Sequence, residues 1–214
     1  MTISLTGFMG CGKSSVGRRL SELLSCSFVD LDSVIEEREG RTIPEIFAAD
    51  GETAFRQMEK EALEHILFMP EIRQCAPLAP SQLSLGPSPY AGVRKCQFRT
   101  SALSTDSVPK FMLALGGGTV MTPECAEIVQ KNTLCIYLRA SVDTLVSNLS
   151  DESEGRPMLK SDSSLRERIE ELMNLRSAVY EKTAHVIVDT DGKSIEAITD
   201  EIRHLLTQWQ RLPE

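Results

Sequence analysis

The chain has 214 residues, 41% hydrophobic and 25% charged, which is ordinary for a soluble globular protein able to bury one core. Its formal charge of −8 and isoelectric point near 5.1 argue against a nucleic-acid grip. It contains no apolar run of about 18 residues, as a membrane span requires.

In chain order, "TISLT" (2–6) reads as a short strand and "KSSVGRRLSELL" (13–24) as a helix with Val16, Leu20, Leu23 and Leu24 at helical spacing. Between them Gly7, Gly12, Lys13 and Ser14 fit G-x-x-x-x-G-K-[ST], in the strand-loop-helix context that this pattern needs. Backbone N–H groups from Gly7 onward, including Gly10, Cys11, Gly12 and Ser15, make a pocket for the phosphates of a nucleoside triphosphate. Lys13 reaches the β- and γ-phosphates, and the Ser14 hydroxyl is a ligand for Mg²⁺. Cys11 is either a small residue tolerated in the loop or a thiol activated at a helix N-terminus. The motif lies where the apolar core of a secretory signal would lie, so none is expected. Six cysteines without a C-x-x-C pair read as free thiols in a reducing cytoplasm, rather than as a metal framework or disulfide scaffold. The three histidines stand apart from one another and from every motif.

The next strand, "SFVD", ends at Asp30, placed to hold Mg²⁺ through water. Asp32 opens the following helix, where it either takes a proton from a substrate hydroxyl or caps the helix. "TIPEIFAADGETAFRQMEKEALEHILF" predicts two helices hinged near Asp50 and Gly51. Its apolar arc of Phe55, Met58, Ala62 and Ile66 takes in Glu59, with Arg56 at the edge. Three residues apart, the two are neighbours, and a carboxylate can fix an arginine that points at an anionic ligand. Residues 70–109 carry six of the ten prolines and six serines without a sustained period, which reads as an insertion or long loop.

"FMLALGGG" is a buried strand running into Gly116, Gly117 and Gly118, where a compact ligand can lie on the main chain or a helix can pack tightly. "TLCIYLR" and "HVIVDT" are further strands. The polar segment 150–164 contains Arg156, either a lid arginine closing over the transferring phosphoryl group or a surface residue. In "LRERIEELMNLRSAVY" the stripe Leu165, Ile169, Leu172 and Val179 has Arg176 near its centre. A core-facing arginine must meet an anion, whether a substrate carboxylate or phosphate or a buried ion-pair partner. Strands alternating with helices predict a parallel sheet covered on both faces.

"GFMGCGKSSVGRRL", "DLDSVIEEREGRTIPEIFAADGETAFRQMEKEAL", "LALGGGTV", "GRPML" and "LRSAVYEKTAHVIVDT" together resemble shikimate kinase, in order and at compatible spacing. The resemblance spans nearly all of the chain except 70–109, where the family has a short connection. It implies an α/β P-loop NTPase of the nucleoside-monophosphate-kinase type. The expected architecture is one domain over 1–214, a five-stranded parallel sheet of order 2-3-1-4-5, flanking helices and a lid. The implied reaction is ATP plus shikimate giving shikimate 3-phosphate and ADP, in aromatic amino-acid biosynthesis. Residue by residue, it assigns Lys13 and Ser14 to phosphates and Mg²⁺, and Asp30 to the metal through water. Asp32 becomes the base, Arg56 and Arg176 the carboxylate clamp, Glu59 the support of Arg56, Gly117 a backbone contact and Arg156 the lid arginine. The expected partners are shikimate and ATP alone, with no nucleic acid or membrane, for a cytoplasmic monomer. Gluconate or a nucleoside monophosphate as acceptor, and a non-catalytic nucleotide-binding homologue, are the competing readings. Lys193 in "DTDGKSIEA" is a candidate on the adenine side.

Overall fold

The computed structural model describes residues 1–68, 109–150 and 164–209. Five strands form one parallel sheet: β1 (Ile3–Thr6), β2 (Ser27–Asp30), β3 (Phe111–Ala114), β4 (Leu134–Arg139) and β5 (Val186–Asp189). Their order is β2-β3-β1-β4-β5, as the resemblance implies. β1 and β3 are buried along their whole length, because helices cover both faces of the sheet.

The helices are α1 (Lys13–Leu24), α2 (Leu31–Glu39), α3 (Ile43–Phe68), α4 (Pro123–Asn132), α5 (Val142–Leu149), α6 (Leu165–Thr183) and α7 (Ile195–Trp209). The expected hinge in α3 falls at Gly51, whose φ of 81° and ψ of 174° break the helical path. A side chain would strain that backbone. None of the described helices is long and apolar enough to cross a membrane.

One expected face is corrected and a second is extended. On α1 the buried residues are Val16, Gly17, Leu20 and Ser21, while Leu23 is exposed. Gly17 lets the helix lie close on β1 and β2, against Leu5 and Phe28, and Leu23 stands away from that contact. On α6 the buried face comprises Ile169, Leu172, Arg176, Tyr180 and Thr183, with Val179 only half-buried. Val179 still packs against the core, and Tyr180 joins that face, its ring stacked on Tyr137 and its hydroxyl bonded inside.

A Cβ on Gly17 would lie 2.4 Å from Phe28 Cε2 and 3.2 Å from Leu5 Cδ1. Gly17→Ala is therefore expected to destabilise the fold by about 1–2 kcal/mol, because overpacking outweighs the better helix propensity of alanine. Thermal unfolding followed by circular dichroism checks this, with a midpoint about 2–6 °C below that of the wild type.

Sheet register assembles the site. Asp30 at the end of β2 pairs with Ala114 at the end of β3, and Ala114 pairs with Leu5 of β1. The loops leaving these three adjacent strands therefore share one crevice at their carboxyl ends, the usual ligand position in an open α/β sheet. They are the glycine loop, the Asp30–Asp32 turn and the glycine triplet.

Candidate active site

The loop from Gly7 to Gly12 leads directly into α1. Gly7 has φ 142°, and a Cβ there would sit 2.6 Å from the Leu138 carbonyl oxygen. α5 holds the loop from outside, where the Asn148 amide donates to the Gly10 carbonyl at 2.9 Å. The Lys13 ammonium spans the mouth of the loop and donates to the carbonyls of Gly7 and Phe8, both at 2.9 Å. It also donates to Cys11 Sγ at 3.9 Å, and a flexible ammonium held by such neutral acceptors can exchange them for phosphate oxygens. Cys11 is 4% exposed, so the small-residue reading fits it better than an accessible redox thiol. The four described cysteines are all free and buried.

Ser14 Oγ donates to Asp30 Oδ2 at 2.6 Å. One hydroxyl beside one carboxylate suits Mg²⁺, which is commonly bound through a single carboxylate plus phosphates and water. Among the described residues no cluster of three His, Cys, Asp or Glu side chains is placed to hold a metal.

Asp30, in extended conformation, also caps α2, its Oδ1 accepting from the Asp32 N–H at 3.2 Å. The capping role open to Asp32 in the sequence thus belongs to Asp30. Asp32 Oδ1 is buried and has no hydrogen-bond partner. Burial, then the nearby negative charges of Asp30 and Glu59, push the Asp32 carboxyl up to about 7, against the pull of Lys13. A buried, unpaired carboxylate oxygen is costly unless a ligand supplies the missing donor.

A second group of side chains gathers beside Asp32 at Gly116. Glu59 is 1% exposed and accepts from Thr119 Oγ1 at 2.6 Å through one oxygen and from Arg56 through the other. Arg56 also pairs with Glu52 at 3.0 Å. The glycine triplet makes room for these side chains as well as for any ligand. A Cβ on Gly116 would collide with Asp32 Oδ1, Glu59 Oε1 and Thr119 Oγ1 at 2.6, 2.8 and 2.9 Å. A Cβ on Gly118 would strike the Arg56 guanidinium at 2.4 Å. Arg176 is 5% exposed, lies over the Phe8 ring at 5.8 Å and forms no ion pair among the described residues. The alternative of a structural ion pair for Arg176 thus has no carboxylate to support it there.

The structure brings together Lys13, Ser14, Asp30, Asp32, Arg56, Glu59, the triplet and Arg176. Arg156 and the segments 69–108 and 151–163 lie outside the described residues. Lys193 is paired with Glu201 at 2.6 Å. Phe8, Thr119 and Tyr180 join the site without belonging to a motif that marks them as functional. Tyr180 carried a usable signal, since it follows Arg176 by one helical turn on the same face.

The chain matches the family model described as "Shikimate kinase" over residues 9–73 and 97–207, the unmatched gap falling inside the proline- and serine-rich stretch. It is 34% identical over 200 residues to the shikimate kinase of Thermus thermophilus, covering 94% of this chain and 86% of that one. The shikimate kinase of Chlorobium chlorochromatii is 32% identical, with 98% and 92% covered. Among solved structures, shikimate kinase from Acinetobacter baumannii in complex with shikimate superposes with a TM-score of 0.76 at 25% identity, over 99% of this chain and 95% of that one.

Proposed function

The chain belongs to the shikimate kinase family, and on that premise we propose that it transfers the γ-phosphoryl group of ATP to the 3-hydroxyl of shikimate. The fold is accordingly a P-loop fold of the nucleoside-monophosphate-kinase type. One observation carries the residue-level reading. The unpartnered buried oxygen of Asp32 has as charged neighbours the phosphate-loop lysine Lys13 and Glu59, which is ion-paired with Arg56.

In this reading the loop N–H groups and Lys13 hold the β- and γ-phosphates. Ser14 and Asp30 support Mg²⁺, which when bound neutralises charge on the phosphate oxygens. Arg56 and Arg176 take the acceptor carboxylate, and Glu59 fixes the orientation of Arg56. Asp32 accepts the proton as the acceptor O–H bond breaks. The new O–P bond forms while the bridging bond to the β-phosphate cleaves, and its electron pair leaves with ADP. Phosphoryl transfer asks mainly for such alignment and charge stabilisation. Arg156 is proposed to act from the lid and the site to work in a cytoplasmic monomer, with small molecules as its only partners.

A coupled ADP-release assay on shikimate, gluconate and nucleoside monophosphates tests the reading. ADP release that depends on shikimate alone is expected. Turnover of another acceptor, or ATP binding without turnover of any, would refute it.

Gly118 supplies a sharper test of the clamp. Its φ of −114° suits any residue, so Gly118→Ala changes only the space that Arg56 occupies. The shikimate KM is expected to rise about tenfold, as expected for one displaced charge-assisted contact, with the ATP KM unchanged. Steady-state kinetics with each substrate varied separately checks this.

A further inference from the structure

The buried hydroxyl of Tyr180 lies outside the roles assigned above. Tyr180 is fully buried on α6, and its ring stacks on Tyr137 of β4 with centroids 5.1 Å apart and planes at 30°. Its hydroxyl donates to the carbonyl of Gly117. Arg176 stands one turn earlier on the same buried face of α6, so the two side chains are neighbours. Gly117 is also where the triplet meets the phosphate loop, since a Cβ there would lie 3.2 Å from the Met9 nitrogen and 3.7 Å from the Gly7 oxygen.

One phenol therefore stands between three parts of the site. It is anchored to the sheet through Tyr137, it neighbours the proposed carboxylate clamp Arg176, and it grips the backbone between the two glycines that give room to Asp32, Glu59 and Arg56. We infer that Tyr180 is a positioning residue, whose hydroxyl sets the glycine triplet and Arg176 at a fixed spacing from the donor loop. It does not touch the reacting atoms. The inference rests on the acceptor reading given above.

The test is Tyr180→Phe, which keeps the ring and its stacking and removes only the hydroxyl. Its partner is Ser4→Ala, which removes a buried hydrogen bond of 2.7 Å to Thr133 at the opposite end of the sheet. Both variants lose a buried hydrogen bond, so both are expected to show a lowered thermal midpoint. Only Tyr180→Phe is expected to raise the shikimate KM, by about tenfold for a misplaced charged contact, with kcat reduced several-fold and the ATP KM unmoved. Kinetic constants for Tyr180→Phe equal to those of the wild type would overturn the inference. So would an equal rise in both KM values, or the same kinetic change in Ser4→Ala. A wild-type protein inert towards shikimate overturns the function reading and this inference with it. An active wild type matched by Tyr180→Phe overturns the inference alone.

Discussion

Asp32→Asn is expected to slow transfer by orders of magnitude while making the protein harder to unfold at alkaline pH. The two effects share a cause. The Asp32 carboxyl is pushed from an ordinary 3.8 up to about 7, first by burial and then by Asp30 and Glu59. The folded state therefore binds this proton more tightly than the unfolded chain. Its stabilising effect is complete below the unfolded value near 3.8 and is lost as the pH rises through about 7. At pH 8 the folded protein holds an unpaired charge, which asparagine removes at nearly constant volume. If roughly 2 kcal/mol is recovered, the thermal midpoint at pH 8 rises by about 4–8 °C. At pH 4 the difference should shrink towards zero. Without a general base, kcat should fall by about 10²–10⁴-fold. Wild-type kcat/KM for shikimate should climb with pH through about 7 and then level, reporting the same carboxyl in the free enzyme. Unfolding curves at the two pH values and a pH–rate profile check each part. A variant less stable at pH 8, or one that keeps activity, would remove Asp32 from the role of base.

Arg176→Met should raise the shikimate KM by about a hundredfold while leaving the ATP KM near its wild-type value. Arg176 is 5% exposed and has no ion-pair partner among the described residues, so its charge is carried at a cost until an anion arrives. Methionine fills comparable space without that charge, and the ligand-free variant is expected to be at least as stable as the wild type. Loss of one fully desolvated charge-assisted contact accounts for the affinity change, at about 2–4 kcal/mol. Adding shikimate should raise the thermal midpoint of the wild type but not of the variant, as binding to the folded state alone requires. An unchanged shikimate KM would refute the clamp.

Much of this was legible in the sequence because it depends on local period and spacing. The five strands follow from short apolar runs, and the hinge at Gly51 from a glycine between two amphipathic stretches. The burial of Arg176 follows from its place in the apolar stripe of α6. The functions of Asp30 and Asp32 were not separable that way. Which of two aspartates caps α2 depends on the extended backbone of Asp30, at φ −109° and ψ 119°, and on where its oxygens turn. Nor does spacing reveal that Gly116 and Gly118 accommodate carboxylates and a guanidinium from α2 and α3, because those contacts cross from one element to another. Leu23 misled for a related reason. Helical projection finds an apolar arc, but close packing at Gly17 decides which edge of the arc turns inward.

The central claim is that the glycine loop and the acceptor cluster serve a single transfer. Phosphorus NMR on a mixture of the protein, ATP, Mg²⁺ and shikimate tests it most directly. The γ-phosphate signal of ATP should disappear as a phosphomonoester signal grows, coupled to the proton on carbon 3 of the shikimate ring. Growth of inorganic phosphate alone, or an ATP spectrum that shikimate does not alter, would contradict the account.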